Sequence, residues 1–154
     1  MILQYYMVRP GVVAPSRAHP SDAGLDLVYN PEDPHKERVT IEPGQSVLLQ
    51  TGCRFAIPHG YMMDIKSRSS WAAQRQLLVG ACVVDSGYDG EVFVNLHNVG
   101  STTQTVRHGD RIAQAVVVPV VPVRWVASAE EDIYGWCPIT ISQRGDGALG
   151  STGE

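Results

Sequence analysis

The chain has no excess of basic residues. Its 12 Lys and Arg stand against 16 Asp and Glu, a formal net charge of −4 over 154 residues. Without a basic field nothing can wind along a nucleic-acid backbone, so nucleic acid is excluded as a partner and any anionic ligand has to be met locally. Uninterrupted helical stretches are missing too. Fifteen Gly and 10 Pro, nearly one residue in six, break every segment on which a long helix would be built, which rules out a helical bundle. Cysteine is scarce and odd in number: Cys53, Cys82 and Cys137 lie far apart without metal-ligand spacing. That excludes a disulfide framework and a zinc site, and all three read as small buried hydrophobes in a reduced interior. No apolar run approaches the ~20 residues of a membrane span, and the first seven residues have neither a basic n-region nor a long apolar core. The expectation is a soluble, cytoplasmic protein with no membrane partner.

What is present is one domain's worth of chain, long enough to bury roughly 70% of its unfolded surface. The segments between Gly and Pro are short and β-like. Strands are predicted over Gln45–Ile57, Tyr61–Ile65 and Glu91–Asn98, the last alternating Val92, Val94 and Leu96 against Phe93, Asn95 and His97. Ile112–Val121 is apolar almost throughout and reads as a strand buried on both faces, interrupted at Pro119; such burial in a small all-β chain points to a subunit interface. One short helix is predicted over Ser70–Leu78, with a Ser at its start as cap. Ala127–Gly135 reads as an acidic surface loop, and Arg144–Glu154 as a Gly-rich segment that is mobile without ligand.

Five polar clusters punctuate this frame. In Ser21–Leu27, Asp26 sits between two apolar residues, so its carboxylate points away from them toward an ion or an Arg, or serves a turn. Ser67-Arg68-Ser69-Ser70 offers backbone N–H groups, hydroxyls and a guanidinium that suit phosphate oxygens, or a helix cap with a surface Arg. Val79–Gly90 reads as strand, tight turn, strand, with Asp85 at the end of an apolar stretch as a general base or a turn aspartate. Gly109–Gln114 is a turn entering the Val-rich strand; Asp110 and Arg111 read as a surface pair, and Gln114 needs a partner if buried. Arg144–Gly153 combines a fixed positive charge, permissive glycines and two hydroxyls, which is phosphate-cradle chemistry or a loose tail.

Together and in this order the clusters resemble the five motifs of the trimeric dUTP diphosphatases (dUTPases): Ala23–Leu27, Arg68-Ser69, Gly80–Gly90, Gly109–Gln114 and Arg144–Gly153. The resemblance implies an all-β, distorted jelly roll of the dUTPase β-clip kind. Residues 1–143 would form the domain and 144–154 a flexible C-terminal arm, in a homotrimer whose active sites draw on several subunits. It further implies hydrolysis of dUTP to dUMP and pyrophosphate with Mg²⁺, which limits uracil in DNA and supplies dUMP for dTTP synthesis. Asp85 matches the aspartate that activates water for attack on the α-phosphorus. Tyr88 matches the tyrosine packed under the deoxyribose, and backbone from Gly80 to Val84 would read uracil. Arg68, Ser69, Ser70 and Gln114 match the phosphate side, while Arg144, Leu149, Gly150, Ser151 and Thr152 would close over substrate. Asp26 would hold the water shell of a Mg²⁺ carried mainly by the triphosphate.

The chain departs from the family pattern at Ser67 and Ser70, at Gly87, and at Ala148-Leu149, where an aromatic residue usually stacks on uracil. Two of these departures resemble the related dCTP deaminases, which makes a deaminase-like or bifunctional enzyme the alternative. Those enzymes carry a glutamate ten residues after the aspartate, and Asn95 stands there. A nucleotide-dependent regulatory binding protein of the same fold is the remaining reading.

Overall fold

A computed structural model describes residues 1–135. The chain divides into the unit Met1–Pro122 and the unit Val123–Glu154. The first holds β1 (Gln4–Met7), β2 (Leu25–Val28), β3 (Arg38–Ile41), β4 (Ser46–Gln50), β5 (Cys53–Ala56), β6 (Tyr61–Lys66), α1 (Ser69–Arg75), β7 (Leu77–Val79), β8 (Val83–Asp85), β9 (Phe93–Asn98), β10 (Gln104–Arg107) and β11 (Arg111–Pro119). They pair antiparallel in four sheets, β2-β11-β6-β8, β4-β9-β7, β1-β5 and β3-β10. The described part of the second unit carries one 3-10 turn, Glu130–Asp132, and Ala127–Gly135 is exposed throughout, as an acidic surface loop should be. Among the described residues no helix is long and apolar enough to cross a membrane.

Period-two alternation builds the core. Directly opposed residues share a face, so Leu27, Ala113, Ala115, Met63 and Ile65 turn inward together from the four-stranded sheet. Leu49, Val94 and Leu96 do the same from the three-stranded one. Each such Leu or Ile removed from water contributes about 1.5–3 kcal/mol. The other face of the four-stranded sheet carries Asp26, Gln114, Lys66, Asp64, Val116, Val118, Met62, Val83 and Asp85 in register. This one face carries both charged residues and unpartnered valines.

Several predicted boundaries move. The strand expected over Gln45–Ile57 is two strands in different sheets, because Gly52 takes φ +72° and the chain turns at Thr51-Gly52. Asn30, almost fully buried, spans that break: its Nδ2 donates to the carbonyls of Val13, Val28 and Thr51, and its Oδ1 accepts from Val13 N at 2.8 Å. The helix stops at Arg75 because Gln76 enters the left-handed region at φ 53°, freeing Leu77 and Leu78 to pair as β7; its first residue is Ser69, and no side chain caps it. Ile112, Ala113 and Ala115 are buried as expected, but Val116, Val117 and Val118 are half-buried and Val121 is 77% exposed. Burial of this strand on both faces is therefore not met within one chain.

Candidate active site

Two constellations form at opposite corners of the four-stranded sheet. At the first, the packing of Leu27 fixes Asp26 on the outer face, opposite Gln114. Arg68 Nε donates to Asp26 Oδ1 at 3.0 Å and Arg68 Nη2 to Oδ2 at 3.4 Å, while Arg111 Nη1 reaches Oδ2 at 3.4 Å. The partner of Asp26 is thus a pair of guanidiniums. Arg68 Nη1 also donates to the Arg111 carbonyl at 3.2 Å, so Arg68 spends three of its five N–H groups here and keeps two for a ligand. Gln114 finds the partner its half-buried amide requires: Nε2 donates to the Ser67 carbonyl at 3.1 Å. Ser67 Oγ accepts from Val79 N at 2.9 Å, and Ser69 and Ser70 stay exposed beside Arg68. Two cations on one carboxylate leave this corner positive inside a net-negative chain.

The expected Asp110–Arg111 pair does not form. Asp110 Oδ2 instead accepts from Arg107 N at 2.9 Å, closing the turn that Gly109 makes at φ +87° and sending Arg111 to Asp26. Arg111 and Ser67 thus take part in this corner beyond the surface pair and helix cap their sequence positions suggest. Arg111 is the first residue of β11, where a strand side chain projects from the sheet, and that is the signal that could have found it.

At the second corner Asp85 ends β8, and Tyr88 N donates back to the Asp85 carbonyl at 3.2 Å across a turn in which Gly87 has φ +88°. A cleft of about 270 Å³ opens beside it, lined among others by Leu48, Ala81, Val84, Asp85, Tyr88 and Phe93. It brings together three residues singled out in the sequence: Val84, Asp85 and Tyr88. The segment is not a simple hairpin, because β7 pairs with β9 and β8 with β6, so Gly80–Cys82 crosses from one sheet to the other. Gly80 is held there by the Asn95–His97 pair (Oδ1 to Nε2 2.5 Å) and by its own N–H to the Asn95 carbonyl at 2.9 Å; a Cβ would overlap both side chains. A larger cleft of about 740 Å³ lies over Tyr5, Tyr6 and Phe55, and among the described residues of the five clusters only Asp89 lines it.

The register measures the separation of the corners. Asp85 is level with Met62 on β6, whereas Gln114 and Asp26 are level with Lys66. Four residues along and three strands across put the Cα atoms of Asp85 and Asp26 about 20 Å apart. Cys53 is buried and its thiol is pushed up to about 11, chiefly by burial and then by Glu91; Cys82 is half-buried rather than buried, and Cys137 lies outside the described residues. So do Arg144, Leu149, Gly150, Ser151 and Thr152. Among the described residues no group of three or more His, Cys, Asp or Glu side chains could hold a metal by itself.

Comparison with known proteins matches residues 11–153 to the dUTPase family model. A deoxyuridine 5'-triphosphate nucleotidohydrolase of Anaplasma marginale is 39% identical over 149 residues, covering 93% of this chain and 90% of the relative. One of Desulfotalea psychrophila is 41% identical over 116 residues, 74% of this chain and 72% of the relative. In fold, the chain is similar to a mutant dUTPase of Staphylococcus bacteriophage 80alpha solved with dUpNHpp (TM-score 0.78, 24% identity, 99% of both chains). It is also similar to a phage phi11 dUTPase whose structure details a structural Mg(II) ion (TM-score 0.74, 23% identity, 86% of this chain and 99% of that one). With a matched family model that runs through nearly the whole sequence and an all-β fold of the same kind, the chain belongs to the dUTPase family.

Proposed function

We propose that the chain is a dUTP diphosphatase, hydrolysing dUTP to dUMP and pyrophosphate, with Asp85 as the general base. The observation that carries this reading is the cleft in which Asp85, Val84 and Tyr88 converge in a chain of the dUTPase family. Asp85 takes a proton from a water whose oxygen bonds to the α-phosphorus as the bond from that phosphorus to the bridging oxygen breaks. Such proton transfer is worth about 10²–10⁴-fold. Tyr88 packs under the deoxyribose where a 2′-hydroxyl would sit, and the clamped backbone from Gly80 to Val84 meets the uracil edge. Arg68, Ser69, Ser70 and Gln114 meet phosphate oxygens, and the free guanidinium donors of Arg68 and Arg111 counter the triphosphate charge.

Because Asp85 and the guanidinium corner stand about 20 Å apart in one chain, the reading takes them from different subunits of a homotrimer. The half-buried Val116 and Val118 between the corners suit such an interface. Residues 144–154, with Arg144, Leu149, Gly150, Ser151 and Thr152, act as an arm that closes the site of the domain formed by residues 1–143. Mg²⁺ fits the donor set as a passenger of the triphosphate: Asp26 already accepts from two guanidiniums, and a carboxylate's four lone-pair sites leave one for a metal-bound water. When bound, Mg²⁺ would neutralise charge on the phosphates. A cytoplasmic, nucleotide-pool enzyme is the setting this reading implies.

The test is pyrophosphate release from dUTP, dCTP, UTP and dTTP, with dUTP expected to be strongly preferred. Ammonia from dCTP with no pyrophosphate from dUTP would sink the reading. Asn95 argues against that outcome, since it offers no carboxylate and its amide is engaged by His97 and the Val47 carbonyl.

A further inference from the structure

Tyr88 is half-exposed, yet its ring has one defined seat. Its hydroxyl donates to the Glu91 carbonyl at 3.0 Å, and the ring crosses directly over Gly90, where a Cβ would come within 2.6 Å of Cζ. A glycine at position 90 is therefore a condition of the ring's placement. The acceptor of that hydrogen bond is itself immobilised. The Glu91 carboxylate receives Arg9 Nη1 at 3.2 Å, Arg9 Nη2 at 3.4 Å and Gly52 N at 2.7 Å, with both side chains more than four-fifths buried. Arg9 Nη2 also donates to the Asn30 carbonyl, so the pair is tied to the buried amide that spans the β4–β5 break. Charge-assisted bonds in a shielded setting are the strong ones, and nothing in the chemistry of dUTP calls for an Arg–Glu pair there.

We infer that Arg9, Glu91 and Gly90 form a clasp that positions Tyr88 and so sets how sharply the site rejects a 2′-hydroxyl. The inference rests on the dUTPase reading of Tyr88 and goes beyond it, to positioning residues 82 positions apart in sequence that touch no substrate. A steric filter works only as well as its wall is stiff. A ring free to swing admits ribose, whereas a ring held at its hydroxyl and against a glycine does not.

The experiment compares kcat/KM for dUTP and UTP in the full chain and its variants. Tyr88→Phe, which removes only the hydroxyl, and Arg9→Met, which unpins Glu91, should each lower the dUTP-over-UTP preference about two- to tenfold, the worth of a single hydrogen bond. Gly90→Ala, which displaces the ring, should lower it further, and Arg9→Lys should restore most of what Arg9→Met loses. A merely structural role would depress both substrates alike and leave the ratio unmoved. If Gly90→Ala fails to fold, Tyr88→Phe and Arg9→Met still decide. An unchanged ratio in both, with Tyr88→Ala collapsing it, overturns the clasp and keeps the tyrosine filter. A parent chain that does not hydrolyse dUTP overturns the functional reading itself.

Discussion

The two corners of the four-stranded sheet are built on different physics. The Asp26–Arg68–Arg111–Gln114 corner is made of charges and amides already paired with one another, so its geometry exists before any ligand arrives and its field is tuned by a carboxylate between two cations. The Asp85–Tyr88 corner is made of shape: an exposed carboxylate at a turn, a clasped ring and a glycine-tight backbone around a small cleft. The first offers guanidinium donors but its one carboxylate, Asp26, is already paired, whereas the described lining of the second cleft carries the Asp85 carboxylate and no cation.

The largest effect is expected at Asp85. Asp85→Asn should lower turnover a hundredfold or more while dUTP still binds, measured by kinetics and calorimetry; unchanged turnover would remove Asp85 from the chemistry. Co-refolding Asp85→Asn with Arg68→Ala separates the two corners: mixed trimers with sites shared between chains, as proposed, should regain up to about a quarter of the parent activity. No recovery would put both corners of each site in one chain. On the proposed reading, in which residues 144–154 exclude water without building the interface, deletion after Gln143 should cost roughly tenfold or more in turnover and leave the proposed homotrimer intact on a sizing column. Asp26→Asn acts on the preorganised corner only: two guanidiniums lose their shared partner, and the melting transition should show a loss of ~1–3 kcal/mol, with a higher KM for dUTP. The smallest effect is on stability at high pH. Tyr29, Cys53 and Lys66 all have raised pKa values, chiefly from burial in the first two and from the Asp64 hydrogen bond in Lys66. The unfolded chain therefore releases these protons first, and stability should be full below about pH 9 and decline as pH rises toward 11, most visibly for Cys53.

Legibility in the sequence followed how local each determinant is. The alternation of β9, the burial of Leu27 beside Asp26 and the need of Gln114 for a partner are all written within a few residues, and each appears in the structure. The break at Gly52 and the helix stop at Gln76 escaped because backbone sign is a tertiary outcome there; Gln76 is not a residue that announces a left-handed turn. That Gly80–Cys82 crosses between sheets was equally invisible, since a strand's partner is chosen by the whole fold. Arg9 and Glu91 left no trace at all, being 82 residues apart in an acidic chain with no reason to single out either. Residue chemistry could be read one position at a time, whereas the fixing of Tyr88 could not.

One strand couples everything else. Tyr61–Lys66 pairs on one edge with the strand that ends in Asp85 and on the other with the strand that carries Gln114, so a single register sets both corners. A one-residue deletion inside it would turn every outward side chain beyond the lesion into the core, swapping Asp64 and Lys66 with Met63 and Ile65. The loop around Pro34–Lys36 faces no such constraint. Length variation should therefore accumulate there and be purged from those six positions.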